Sequence, residues 1–295
     1  MELLYKNRSI TSCLKAAYNF LLSNFKGIFH AVWLPVLLYS IFSAAFITLL
    51  LSNSQSDILG LRQHGIFIVV VLALGLVCAF TGIWVIARLM SFLNEMPRLW
   101  NLKRMLIVFF ITLLAMVPLM AFWGGGIWFM FIRGSVESHF VIKIFILLVV
   151  TMLFSLLVMP MVYVNMKYLK EKDIHYLKSF TKNYKNGLRF IGFIFVAVIV
   201  TLLIALVITS VVLMPLYVLL IAKTSSLTGE AIGDPADLPG YFIFLVFGTM
   251  IVACVVMSLI NIFEMLVCYF LYGSIEQKQT ERLEAKEMVS VVKES

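Results

Sequence analysis

Apolar residues along this chain run in long blocks that do not alternate with polar ones. A helix needs about 20 apolar residues to cross ~30 Å of hydrocarbon. Six segments meet that length: residues 28–51, 66–90, 105–123, 141–163, 190–221 and 241–271. They are apolar on every face, which predicts helices; barrel strands would alternate every second residue. Segments 190–221 and 241–271 exceed a straight crossing, so they must tilt, kink or run past the bilayer surface. Pro215 lacks a backbone donor and marks a kink in the fifth segment. Gly124-Gly125-Gly126 predicts the end of the third helix, with the aromatic run 127–132 beyond it in the interface.

The polar intervals differ in charge. Of the 23 Lys and Arg residues, all but Arg62, Arg133, Lys143 and Lys223 fall in four places. These are the N-terminal segment, the second-to-third connection with its flanking turns, the fourth-to-fifth connection and the C-terminal tail. The positive-inside rule then puts both termini in the cytoplasm, which requires an even number of spans. Trp100 and Tyr272 fit the inner interface, and Trp123, Trp128 and Tyr241 the outer one.

Three of the cytoplasmic intervals are amphipathic at helical spacing and lead into an odd-numbered span. In the first, Ile10, Leu14, Ala17, Leu21 and Phe25 share a face. In the second, Phe92, Met96 and Leu99 do so, with Pro97 in conflict with a helix. In the third, Ile174, Leu177, Thr181, Tyr184 and Leu188 line up apart from Lys178, Lys182 and Lys185. Such helices lie in the headgroup layer with cations outward, and the three lysines are candidate contacts for anionic lipid headgroups. Each interval ends in Asn-x-Lys, at Asn24, Asn101 and Asn183. The same tripeptide at Asn165 falls outside this scheme. The expected fold class is all-α: a polytopic membrane protein with six transmembrane helices arranged as three hairpins, with amphipathic cytoplasmic interfacial helices. A single transmembrane domain covers 1–273, with candidate parallel repeats at 9–90, 91–164 and 171–272, and a cytoplasmic tail covers 274–295.

Composition sharpens the picture. Apolar residues make up 62% and charged residues 13% of the 295 residues. A soluble domain carries roughly 45–50% and about 25%. That excludes a soluble globular protein, a disordered chain and a nucleic-acid binder; the net charge of +8 follows from topology. Cys13, Cys78, Cys254 and Cys268 form no CxxC pair and read as small core residues. Lys15 and Lys26 interrupt the first apolar stretch, so no signal peptide is expected.

Candidate chemistry is sparse. Glu264 is the only acidic residue well inside a span, where a charge costs about 2.5–3.5 kcal/mol. Asn261 shares its helix face, and Arg88 lies at the inner end of the second span. The three form a candidate intramembrane polar site, readable as a proton- or cation-coupling group or as a structural Glu–Arg pair. His30, His64, His139 and His175 are scattered without metal-ligand spacing. There is no GxGxxG, GxxxxGK[ST] or GxSxG motif, so neither cofactor nor metal is expected. The acidic stretch 224–240, with Glu230, Asp234 and Asp237, reads as a solvated outer loop.

Three hairpins invite comparison with mitochondrial carriers. Here Pro35, Pro118 and Pro215 lack the charged residues that such carriers place after the proline, which excludes that family. Over residues 9–271 the layout resembles a loose group of uncharacterised six-span bacterial inner-membrane proteins. These include membrane domains that accompany glycerophosphodiester phosphodiesterases. The resemblance implies several spans with amphipathic surface helices, and carries over neither functional residues nor phosphodiesterase activity. The expected function is non-enzymatic: organising lipid or assisting a membrane complex in the bacterial cytoplasmic membrane. The expected partners are membrane lipids and a membrane protein, with no nucleic acid. The alternatives are a transporter or channel with Glu264 as coupling group, and, third, an intramembrane enzyme.

Overall fold

The computed structural model describes residues 4–52, 61–132, 140–233 and 238–294. Among them the chain forms ten α-helices: α1 (Ile10–Ser23), α2 (Phe25–Ser52), α3 (Leu61–Asn94), α4 (Arg98–Ile132), α5 (Phe140–Val158), α6 (Pro160–Lys170), α7 (Tyr176–Arg189), α8 (Ile191–Val212), α9 (Met214–Ile232) and α10 (Phe242–Glu294). Six stretches are long and apolar enough to cross a membrane: Phe25–Leu50, Phe67–Asn94, Arg98–Gly126, Phe145–Lys170, Ile191–Val212 and Phe242–Val289. The protein is an all-α, multi-pass membrane protein.

Three local expectations are corrected. The glycine triplet 124–126 does not end a helix; α4 runs through it to Ile132. Glycine weakens a helix by only about 1 kcal/mol per residue, which the apolar turns on either side outweigh. The fifth apolar block divides beside Pro215, where a kink is expected, but its second part runs on further than expected. α8 ends at Val212, and α9 starts at Met214 next to Pro215, which suits a first helical turn. α9 continues to Ile232, so the first half of the expected acidic loop is helical. The second amphipathic interval is not a helix of its own. α3 extends to Asn94, residues 95–97 turn, and α4 begins at Arg98. Glu95 takes the left-handed conformation (φ 58°) that closes helix ends, and Pro97 prevents continuation. Arg133, Glu137, His139, Asp234 and Asp237 lie outside the described residues, as do the side chains of Arg62, His64, Lys143 and Glu230.

The chain divides into two compact units. One comprises Met1–Asn19, Leu99–Val200 and Leu266–Ser295. Its centre is α6, where Met161, Tyr163, Val164, Met166, Tyr168 and Leu169 are all buried. α7 packs on α6. Gly187 permits this: a Cβ there would stand 2.9 Å from the carbonyl oxygen of Pro160 and 3.0 Å from its Cβ. The N-terminal residues clasp α10 with similar tightness. A Cβ on Gly273 would stand 2.5 Å from the Leu4 carbonyl oxygen. The Arg8 backbone N–H donates to Ser274 Oγ at 3.0 Å, and that hydroxyl donates back to the Arg8 carbonyl at 3.2 Å. Ser9 begins α1 as its cap, its hydroxyl accepting from the Ser12 N–H at 3.3 Å. Asn101 and Asn183 are both buried, whereas Asn24 is half-buried.

The other unit comprises Phe20–Arg98 and Thr201–Met265. Here α2 and α3 pack side by side, with the ring of Tyr39 against Gly82. Ala44, Leu216, Val246, Met250 and Cys254 form a buried apolar cluster. Two buried serines bond the backbone of their own helix, Ser40 to the Val36 carbonyl at 2.8 Å and Ser258 to that of Cys254 at 2.8 Å.

Candidate functional site

Glu264 sits half-buried on α10 and makes no hydrogen bond or ion pair among the described residues; Asn261 is exposed. Ion pairs join Lys167 to Glu171 and to Glu276, and none joins Arg88 to Glu264 among the described residues. Arg88 and Glu264 are therefore not brought together as a pair. Arg88 instead lines an open cavity of about 830 Å³ with Gly27, His30, Ser91, Glu95 and Arg98. Its Nε is buried without a hydrogen-bond partner. The wall of this cavity is a rigid turn. Asn94 Oδ1 accepts from the Met96 N–H at 3.0 Å, and Ser91 Oγ donates to the Met96 carbonyl at 2.8 Å. A smaller cavity of about 310 Å³ is lined mainly by apolar residues with Thr48 and Lys223, whose ammonium pKa is lowered by burial. Among the described residues no three His, Cys, Asp or Glu side chains are grouped to hold a metal ion.

The lysines of α7 are all exposed at Lys178, Lys182 and Lys185. Tyr176, Asn183 and Gly187 form the buried stripe of this helix. Tyr176 donates to Asn165 Oδ1 at 2.7 Å, and burial next to Tyr168 pushes its phenol pKa up to about 12, so it stays a donor at neutral pH. Tyr184 donates to the Leu157 carbonyl at 2.6 Å. Between this pinned stripe and the lysines lies an apolar one left open. Leu177 is 80% exposed and Leu188 39%. At 100° per residue, Leu177, Thr181, Tyr184 and Leu188 occupy the arc between the two.

Two polar constellations escaped the sequence reading. In the first, Lys167 Nζ lies 2.6 Å from Glu276 Oε1 and 3.5 Å from Glu171 Oε1. Tyr163 donates to the same Glu276 oxygen at 2.5 Å, and Tyr272 donates to Glu171 at 2.7 Å. In the second, Arg104 caps the C-terminus of α6. Its Nη1 donates to the carbonyls of Tyr168 and Glu171, and its Nη2 to that of Lys172 and, at 3.4 Å, to that of Ile174. The guanidinium lies over the rings of Trp100 and Tyr168, at 3.9 and 4.4 Å from their centroids. A cation there meets orphan carbonyls and the negative end of the helix dipole. Together the two constellations hold the end of α6 and the connection leading into α7. Compared with known proteins, the chain matches no family model, no curated protein and no solved structure.

Proposed function

We propose that this protein organises lipid in a bacterial cytoplasmic membrane, with both termini cytoplasmic, and that α7 is its lipid-facing element. The observation that carries this reading is the exposed leucine stripe of α7 beside three exposed lysines, on a helix whose opposite side is clamped to α6. Burying a leucine in the acyl boundary is worth about 1.5–3 kcal/mol, and each lysine near an anionic surface about 1 kcal/mol. The stripe therefore favours an anionic leaflet over bulk water.

The full-length protein reconstituted with and without phosphatidylglycerol, and probed with spin-labelled phosphatidylglycerol, should prefer the anionic lipid. The triple change Lys178→Gln, Lys182→Gln, Lys185→Gln should lower that preference about tenfold, since salt screens part of each charge. Thermal stability should hold. Leu177→Glu with Leu188→Glu should instead destabilise the protein, by forcing charge into the acyl boundary. Equal effects of the two sets on both readouts would rule out an oriented, lipid-facing helix. A second reading, a transporter or channel with Glu264 as coupling group, draws on that carboxylate having no partner among the described residues. It requires a proton- or cation-dependent flux that Glu264→Gln abolishes while the thermal midpoint holds.

A further inference from the structure

We infer that the cavity between α2 and the α3–α4 turn binds a phosphate group through Arg88 and Arg98. Arg88 and Arg98 line the same cavity. Two guanidinium groups facing one cavity repel unless an anion lies between them. Arg88 also holds a buried Nε that no protein acceptor meets among the described residues. Guanidinium groups present forked, planar donors that match a phosphate's oxygens.

The surroundings suit the same group. His30 adds a ring N–H, and the cavity's volume of about 830 Å³ has room for a phosphate with substituents. The backbone leading to Arg98 is fixed by the bonded turn at Asn94–Met96 and by Pro97 ahead of α4. Glu95, on the left-handed residue of the turn, is the one acidic residue among the lining residues, and like His30 and Arg98 it is exposed. A shallow, mostly apolar groove continues from the cavity along Lys26, Phe29 and Trp33. Phe29 is 49% and Trp33 46% exposed. Phosphate in the cavity with an apolar chain along this groove describes a phospholipid headgroup, while free phosphate would use the cavity alone. The site involves other residues and the other compact unit than α7, so either reading can fail alone.

The test uses the full-length protein in phosphatidylcholine nanodiscs. Discs doped with phosphatidic acid are read by native mass spectrometry for retained lipid, and undoped discs are titrated calorimetrically with inorganic phosphate. Retention of phosphatidic acid should fall about tenfold in Arg88→Met and in Arg98→Gln, and stay unchanged in the exposed tail control Lys286→Gln. The same pattern in the phosphate titration, without an effect on lipid retention, would identify a soluble phosphate as the source and still support the site. Binding that is absent from the unaltered protein, or that ignores both arginine changes, would overturn it. Arg88→Met deletes a buried donor without a partner, so its thermal midpoint should hold or rise. A fall in that midpoint, with Arg98→Gln silent in both assays, would make Arg88 structural and end the proposal.

Discussion

Replacing Glu276 by Leu is expected to cost about 3 kcal/mol of stability, and adding Lys167→Met is expected to restore most of it. Lys167 lies between Glu276 at 2.6 Å and Glu171 at 3.5 Å, and the Lys167 and Glu276 side chains are only 16% and 19% exposed. In water such a pair contributes little. Here desolvation has already been incurred by both groups, so removing one partner leaves the other charged, buried and poorly bonded. Glu276 also accepts from Tyr163, so its loss orphans a phenol as well. Two apolar side chains of similar length remove both charges together, and such exchanges are often neutral. The measurement is a double-mutant cycle on thermal midpoints in detergent. A double variant as unstable as the sum of the singles would show that the pair is not coupled.

What was legible in the sequence was what is local. A span is a run of about 20 apolar residues, and six such runs predict six crossing stretches without any knowledge of neighbours. The ends were harder to read, because glycine and proline carry their aqueous meaning only where water can take up a freed backbone group. Residues 124–126 remain helical, and Pro35 and Pro118 lie inside α2 and α4, whereas Pro97 and Pro215 coincide with breaks. Arg88 and Glu264 were matched by depth alone. Depth says nothing about which side of a helix a residue occupies, and the two make no ion pair. The Lys167 cluster left half a trace: Tyr163, Lys167 and Glu171 recur every four residues on one face. Its decisive partner, Glu276, comes from a distant segment and left none. The amphipathic pattern of α7 was plain, but the pattern alone did not tell the packed stripe from the open one. Packing runs through Asn183 and Gly187, a polar and a bare residue, and the leucines expected to face the membrane are exposed.

Arg104 was counted in the sequence as one more cytoplasmic cation, and its largest consequence lies in geometry. Arg104→Lys keeps the charge but is expected to cost about 2–3 kcal/mol, nearly as much as Arg104→Met. A charge at a helix C-terminus is worth about 0.3–1 kcal/mol, and lysine would retain that part. It would lose the fork that reaches the carbonyls of Tyr168, Glu171, Lys172 and Ile174, and the flat stack between Trp100 and Tyr168. Those carbonyls belong to the last turn of α6 and the connection that sets where α7 begins. The loss should therefore appear locally as well as globally. Hydrogen exchange over residues 171–176 should accelerate in Arg104→Lys, and the preference of the protein for phosphatidylglycerol should weaken as α7 loosens from α6. If Arg104→Lys matches the unaltered protein in thermal midpoint and in exchange, charge alone serves at this position and the capping geometry carries no energy. If Arg104→Lys and Arg104→Met both loosen residues 171–176 while lipid preference is untouched, the cap is confirmed and α7's lipid-facing role loses its structural support.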